Sequence, residues 1–183
     1  MTRKKQLEKL HDDIRQCTLC PLHKTRTNAV PGEGPITSGV MFVGEAPGAK
    51  EDESGRPFVG KSGELLTSML QNIGLSRETV FITSILKSRP PKNRTPTQAE
   101  IAVCRPYLER QIEIINPQII VLLGGVAISS LIGPWKVSEA HGKFYENGDR
   151  KYFMTYHPAA ALRFPKIRTA MREDFQTLKQ ELV

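Results

Sequence analysis

The 183-residue chain has little cysteine, no long apolar run and no internal repeat, and each absence narrows the class of protein. Three cysteines do not make the disulfide framework of a small secreted protein. No apolar run reaches the ~20 residues that a membrane span needs, and residues 1–16 lack the apolar core of a signal peptide. No low-complexity tract or linker suggests a boundary. We therefore expect one domain over residues 1–183, without a membrane segment, in the cytoplasm or, in a nucleated cell, the nucleus.

Acidic residues are fewer than basic residues: the chain has 19 Asp and Glu and 26 Lys and Arg. The formal net charge is +7 and the pI is about 9.5. An excess of positive charge favours a polyanionic partner, although a basic surface without any partner has the same composition. Hydrophobic and charged residues, at 39% and 25%, are in the proportions of an ordinary soluble protein with a full core.

Short apolar runs alternate with stretches of helical periodicity along the chain. The apolar runs predict strands over residues 40–43, 80–86, 119–123 and 152–156. Apolar spacing and capping signals predict an amphipathic N-terminal helix and further helices over 62–73, 98–115, 126–131 and 166–182. Strands that alternate with helices indicate an α/β protein in which a parallel sheet lies between helices.

The longest polar loop follows the first predicted strand, in the segment VMFVGEAPGAKEDESGRPFVG. A turn rich in strand breakers, residues 44–48, carries Glu45, and Glu51 and Phe58 lie further along the loop. Ligands bind at such strand ends in open α/β sheets. We therefore predict a pocket in which a carboxylate, glycine-exposed backbone and an aromatic ring meet. The plainer alternatives are a carboxylate that caps a helix and a phenylalanine that belongs to the core.

Two later strands end in polar loops that should reach the same edge of the sheet. Ser84 precedes the loop KSRPPKNR, and His157 opens the segment HPAAALR. Because the carboxyl ends of parallel strands share one edge, these residues should approach Glu45 and Phe58 in one cleft. Five cations would surround that cleft or lie on the surface as solvated charges: Lys87, Arg89, Lys92, Arg94 and Arg163. An acid, an imidazole, an aromatic platform and a basic rim suit a flipped nucleotide whose backbone is held by cations.

The cysteines offer a second kind of chemistry. Cys17-x-x-Cys20 is a chelating pair, and Cys104 stands alone. Two thiolates at this spacing can grip one metal ion or one edge of a cluster, and they can equally remain two unmodified thiols near a helix end.

Three segments resemble the motifs of the family 4 uracil-DNA glycosylases: GEAPGAKEDESGRPFVG, KSRPPKNRTP and YHPAAALR. The resemblance runs from Cys17 to Arg163. It implies a three-layer α/β/α sandwich with a four-stranded parallel sheet and removal of uracil from DNA, which leaves an abasic site. It also implies a structural [4Fe–4S] cluster and no catalytic metal. We expect a monomer that binds uracil-containing DNA through phosphates.

The resemblance also implies roles for individual residues. Glu45 would hold the attacking water, His157 would stabilise charge on the departing uracil, and Phe58 would stack on the extruded base. The base would be read or lined by Gly44, Ala46, Pro47, Gly48, Glu51 and Ser84. The cluster ligands would be Cys17, Cys20 and Cys104, with Ser88 at the fourth position.

Two positions depart from the family pattern. Ser84 stands where the family has a uracil-reading asparagine, and a hydroxyl is shorter than an amide and rotates freely. Ser88 stands where the family has the remaining cluster cysteine, and serine is a harder, rarely deprotonated ligand. A [3Fe–4S] cluster or an empty site is therefore an alternative to [4Fe–4S]. The alternatives for function are altered base specificity or weak activity, a non-enzymatic cluster-bearing nucleic-acid binder, and a nucleotide-binding α/β protein. The last lacks support because GEAPG has no Lys-Ser/Thr of a P-loop.

Overall fold

The computed structural model describes residues 2–182, in which helices and strands alternate for most of the chain. The strands are β1 (Val40–Gly44), β2 (Phe81–Ser84), β3 (Ile119–Leu123), β4 (Lys143–Asn147) and β5 (Arg150–Thr155). The helices are α1 (Arg3–Arg15), α2 (Ala49–Ser54), α3 (Lys61–Asn72), α4 (Gln98–Ile115), α5 (Gly125–Leu131), α6 (Val137–Ala140), α7 (Pro158–Arg163) and α8 (Pro165–Glu181). Short 3₁₀ turns lie at Pro21–Lys24 and Pro91–Asn93.

The five strands form one sheet in the order β2-β1-β3-β5-β4. The predicted four-stranded parallel sheet is present as β2, β1, β3 and β5, which run parallel to one another. The structure adds β4, an antiparallel edge strand that pairs with β5. Asn147 and Arg150 pair across a two-residue turn in which Gly148 has φ +60°. The two turn residues, Gly148 and Asp149, are a hairpin signal, so the sequence did contain evidence for this strand.

The two faces of the sheet each bury an apolar layer, as the α/β/α prediction requires. Alternate side chains of a strand point to opposite faces, so Met41 and Val43 join one layer while Phe42 joins the other. The first layer packs against α1, α4 and α5, and the second against α3, α7 and α8. Because both faces are covered, the four parallel strands are almost wholly buried, and ligands can approach only their ends.

Helix termini follow the capping signals of the sequence. Thr97 and Glu100 form the predicted capping box at the start of α4, in which the Thr97 hydroxyl accepts the Glu100 amide and the Glu100 carboxylate accepts the Thr97 amide. Helix α2 is a correction, since its residues were predicted to be loop. It ends at Gly55, whose left-handed φ of +72° closes the turn. In the part of the chain that the structure describes, no helix is both long enough and apolar enough to span a membrane.

Candidate active site

A cavity of about 530 Å³ opens at the carboxyl edge of the parallel strands. It contains most of the residues that the sequence predicted to meet there, and they come from three separate strand ends: Glu45, Ala46, Pro47, Gly48, Glu51, Phe58, Ser84, Arg94 and His157. Its other walls include Lys50, Lys61, Ser62 and Asn93. The topology therefore assembles one pocket from segments more than 100 residues apart in sequence.

Phe58 lies against the end of β1 in a conformation that is unusual for a phenylalanine. Its φ is +49°, in the left-handed region, and its ring centroid is 5.7 Å from that of His157. Gly44 makes room for the ring, since a Cβ atom at that position would lie 2.5 Å from Phe58 Cζ and 3.2 Å from Ser84 Oγ. Gly44 therefore shapes the pocket through its missing side chain.

Glu51 organises the loop that surrounds the pocket. Its Oε2 accepts the amide of Gly48 at 3.1 Å, and its Oε1 accepts those of Val59 and Gly60 at 2.9 and 3.0 Å. Both carboxylate oxygens are thus committed to backbone groups that would otherwise lack partners at helix starts. Glu51 lines the cavity, but its hydrogen bonds hold the protein rather than face the open space.

Glu45 is the half-buried carboxylate of the cavity. Burial raises the pKa of Glu45 above its ordinary value. Within residues 2–182 its carboxylate has no hydrogen-bond or ion-pair partner, which leaves both oxygens available to a ligand or a water molecule.

His157 is the N-cap residue of α7, and its protonation follows from that position. The backbone N–H of Ala159 donates to Nδ1 at 3.1 Å, so Nδ1 carries no proton and the neutral ring carries one on Nε2. Burial lowers the pKa of His157 to about 4, against a smaller opposing effect of Glu51. Gly124 allows the close packing, because a Cβ there would lie 2.9 Å from His157 Cβ. The imidazole is therefore a neutral hydrogen-bond donor at neutral pH.

Lys87 is not on the basic surface that the sequence predicted. Its side chain is buried, and its amine donates to Thr83 Oγ1 at 2.5 Å, to the Ser84 carbonyl at 2.8 Å and to Gln111 Oε1 at 2.7 Å. Burial lowers the pKa of Lys87 to about 7. The chain turns inward directly after β2, so the amine supports the strand end that carries Ser84 and cannot reach a DNA backbone from this position.

The other predicted cations differ in how free they are. Arg94 lines the cavity, but its guanidinium makes a bidentate pair with the Glu100 carboxylate at 2.6 and 2.9 Å. That pairing and the Thr97 amide lower the pKa of Glu100 to about 2. Arg89 donates to Asn93 Oδ1, and Lys92 and Arg163 are exposed.

Sequence reasoning missed Lys61 in the cavity wall and two exposed apolar side chains near the end of α7. Lys61 is exposed, lines the cavity and has no ion-pair partner within residues 2–182. Leu162 and Phe164, on either side of Arg163, are large apolar side chains left 43% and 49% exposed. Both are apolar residues near the end of a short helix. The sequence alone does not distinguish such residues from core residues.

The three cysteines belong to one neighbourhood on the α1–α4 side of the sheet. Cys104, on α4, is buried, and its Sγ accepts the Lys87 amide at 3.4 Å. The pKa of Cys104 is raised chiefly by burial, and the thiols of Cys20 and Cys17 add to the effect, as they can only at short range. Across residues 2–182, no three Cys, His, Asp or Glu side chains are arranged to ligate a single metal ion.

Ser88 is buried beside this cysteine neighbourhood, but its hydroxyl already has a partner. Ser88 Oγ accepts a hydrogen bond from Arg26 Nη1 at 2.9 Å, while Arg26 Nη2 donates to the Cys17 carbonyl at 2.8 Å. Three soft thiols with an N–H···S bond suit an iron–sulfur cluster. The fourth donor is a hard hydroxyl held by a cation. In donor type, the three thiols match the usual ligands of an iron–sulfur cluster and the Ser88 hydroxyl does not.

The chain is thus an α/β protein with a cavity at one sheet edge, where an aromatic ring, a carboxylate and a neutral imidazole meet. The family model described as "Uracil DNA glycosylase superfamily" matches residues 31–182. The type-4 uracil-DNA glycosylase of Pyrobaculum aerophilum is 49% identical over 177 residues, covering 92% of this chain and 90% of the relative.

Two further relatives agree over nearly full lengths. The type-4 uracil-DNA glycosylase of Saccharolobus solfataricus is 48% identical over 186 residues, covering 96% of this chain and 86% of the relative. That of Thermotoga maritima is 44% identical over 183 residues, with 97% and 95% covered. The chain therefore belongs to the uracil-DNA glycosylase superfamily, and the predicted resemblance to its type-4 members is confirmed.

Proposed function

We propose that this chain is a DNA-repair glycosylase that hydrolyses the N-glycosidic bond of deoxyuridine in DNA and leaves an abasic site. The proposal rests on one observation: the same cavity is lined by His157, a neutral Nε2–H donor, and by Glu45, whose carboxylate has no partner among the described residues. The relatives named above, which are uracil-DNA glycosylases, support the substrate. They do not favour the non-enzymatic and nucleotide-binding alternatives.

The chemistry we propose separates charge between two groups. As the C1′–N1 bond breaks, its electron pair moves onto uracil, and His157 Nε2–H donates to the carbonyl oxygen on which that charge develops. The sugar becomes an oxocarbenium ion. Glu45 orients a water molecule, and the oxygen of this water bonds to C1′. The Glu45 carboxylate takes up the proton that the water releases. A neutral imidazole stabilises the leaving base without transferring a full proton to it.

Recognition of the base would use the rest of the cavity. The Phe58 ring supplies a stacking surface, which in single-stranded nucleic-acid binding contributes about 1–3 kcal/mol per base. The Ser84 hydroxyl and the backbone amides of the turn at residues 44–48 would read the edge of the ring. Ser84 is both donor and acceptor, so it can pair with uracil, although over a shorter reach than an asparagine.

The exposed rim would hold the DNA. Arg163, Lys61, Lys92 and Arg89 would contact phosphates. Lys61 lines the cavity, Arg89 and Lys92 are next in sequence to the cavity-lining residues Pro90 and Asn93, and Arg163 lies on α7, as do Ala159 and Ala160 of the cavity wall. Leu162 and Phe164 are exposed apolar side chains beside Arg163, and such side chains enter the gap that an extruded base leaves in the stack. Uracil-containing DNA is thus the proposed partner, and a monomeric state stays a prediction.

We also propose that Cys17, Cys20 and Cys104 ligate an iron–sulfur cluster, with Ser88 facing its fourth corner. A [4Fe–4S] cluster is the form that the sequence resemblance implies, and a [3Fe–4S] cluster needs no fourth ligand. When bound, the cluster supplies a covalent tie between the segment after α1 and helix α4. Its role would be structural, since none of the three cysteines lines the cavity.

The test is an excision assay on oligonucleotides that carry one uracil, hypoxanthine or xanthine. The wild-type chain should cleave at uracil, and His157→Ala should lower the single-turnover rate by roughly 10²–10³, the scale for loss of one charge-stabilising donor. Glu109→Gln, which alters an exposed carboxylate on α4, should leave the rate unchanged. Preferred excision of a purine would overturn the substrate. Near-wild-type excision by His157→Ala would overturn the mechanism.

A further inference from the structure

Arg77, which lies outside the cavity, grips the backbone of the loop that carries Phe58. Its Nη2 donates to the Pro57 carbonyl at 2.6 Å, and its Nη1 donates to the Phe58 carbonyl at 2.8 Å. The side chain is only 15% exposed, and it is not among the cavity-lining residues. One guanidinium thus fixes two successive carbonyl groups at the point where the chain enters its left-handed conformation.

That conformation needs support because Phe58 is not a residue that adopts it readily. A left-handed φ is unfavourable for a residue with a bulky side chain, because its Cβ atom crowds the backbone. Gly63 contributes from the other side, since a Cβ atom there would lie 1.8 Å from the Phe58 carbonyl oxygen. The first turn of α3 and Arg77 therefore enclose the same carbonyl group. Both contacts are made while Phe58 has its φ of +49°.

The grip is anchored to the strand that ends in the pocket. Arg77 Nη2 also donates to Glu33 Oε1 at 2.6 Å, and the backbone of Glu33 exchanges two hydrogen bonds with Ile82 in β2, at 2.8 and 2.9 Å. The same strand carries Ser84 two residues later. Glu33, Arg77 and the 57–58 carbonyls thus form a rigid connection between the stacking ring and the base-reading strand end.

We propose that Arg77 is a positioning residue for base stacking, which holds Phe58 in the left-handed conformation that presents its ring to the cavity beside His157. The inference rests on the proposed function, because it gives Phe58 the stacking role. Arg77 acts only through the loop backbone. Loss of the Arg77 guanidinium should therefore lower the rate of uracil excision and leave the affinity for undamaged DNA unchanged.

The structure offers a matched control in Arg56. Arg56 pairs with the same Glu33 carboxylate at 2.8 and 3.1 Å. Its guanidinium donates to neither of the two carbonyl groups, and its side chain is 60% exposed. Arg77→Gln should lower the single-turnover rate of uracil excision about 10-fold, within the 5- to 150-fold that a base–aromatic stack is worth. Arg56→Gln should change it less than about twofold. Arg77→Lys, which keeps the charge but not the fork, should fall between them.

A double-mutant cycle with Phe58→Ala decides whether Arg77 acts through the ring. If it does, Arg77→Gln/Phe58→Ala should be no slower than Phe58→Ala alone. Multiplied losses in the double variant, or an Arg77→Gln rate within twofold of wild type, would overturn the inference. If Arg77→Gln melts below the assay temperature, the same cycle with Arg77→Lys decides by the same criterion. A Phe58→Ala variant as fast as wild type would instead refute the stacking role itself.

Discussion

Glu45 and His157 have pKa values displaced in opposite directions by the same cause. Burial raises the pKa of the Glu45 carboxyl, and it lowers the pKa of the His157 imidazole to about 4. Burial acts against charge in both cases, so it makes the acid weaker and the base weaker. In the proposed mechanism the neutral imidazole is the hydrogen-bond donor and the carboxylate is the base.

The first prediction concerns the pH dependence of excision. The rate should fall on the acid side as Glu45 is protonated, above the ordinary carboxyl pKa of 4.5, because protonation removes the charge that orients water. His157 should contribute no loss near pH 6.5, since the imidazole is already neutral well below that pH. In single-turnover pH profiles, His157→Asn should keep the acid limb at a lower rate, while Glu45→Gln should lose it. An acid limb near pH 6.5 that disappears in His157→Asn would show that the imidazole titrates instead.

The second prediction concerns base reading at Ser84. Ser84→Asn adds an amide that can both donate to and accept from uracil, at a position that faces the cavity. The discrimination between uracil and hypoxanthine should rise by the equivalent of about 1–3 kcal/mol if the amide fits beside Phe58. Ser62→Asn, which adds the same group elsewhere on the cavity wall, is the control. If Ser84→Asn excises uracil no better than wild type, Ser84 does not limit recognition.

Among the helices and strands, the apolar pattern of the sequence predicted the elements whose side chains are buried. Strand β3 coincides with its predicted run Ile119–Leu123. All five of its residues are apolar and buried between the two helical layers, so the apolar run marks the strand from end to end. Strand β4 was missed because its side chains are exposed or half-exposed and carry charge. The signal that remained was the turn dipeptide Gly148-Asp149.

The site was predictable in membership more than in detail. Strand-end logic predicted that Glu45, Ser84 and His157 approach one cleft, and all three line the cavity. It could not show that Lys87 turns inward, since its partners on β2 and α4 are known only after folding. It also could not identify Arg77, which lies before β2 and reaches Phe58 only through the packed loop.

The third prediction concerns the corner formed by Ser88. Ser88→Cys should complete a four-thiolate set and raise the iron content from about three to about four per chain after anaerobic reconstitution. Its visible absorbance should also decay more slowly in air than that of wild type. Ser129→Cys adds a thiol on α5 and should change neither value. Wild-type protein that is colourless, iron-free and fully active would refute the cluster, whatever Ser88→Cys does.

The cations of the proposed binding face differ in their partners, because Arg89 and Arg94 have side-chain partners while Lys61, Lys92 and Arg163 are exposed. Arg94 is tied to Glu100 at the start of α4, so reversing its charge would disturb the capping box as well as any phosphate contact. Arg163 is exposed, and its guanidinium lies 5.3 Å from the centroid of the Phe164 ring. Arg163 is therefore the cleaner position at which to test the binding face.

The fourth prediction is a salt dependence that maps this face. With a net charge of +7, affinity for duplex DNA should fall steeply as salt rises, by a slope of about 0.9 per phosphate contact on a double-logarithmic plot. Arg163→Glu should weaken binding about equally for all sequences and reduce that slope by about one contact, because phosphates carry no sequence information. Arg110→Glu, on the exposed side of α4, reverses the same charge away from the cavity and should leave the slope unchanged. Equal effects of the two variants would mean that the net charge alone attracts DNA, and a slope near zero in wild type would exclude the basic rim as the binding face.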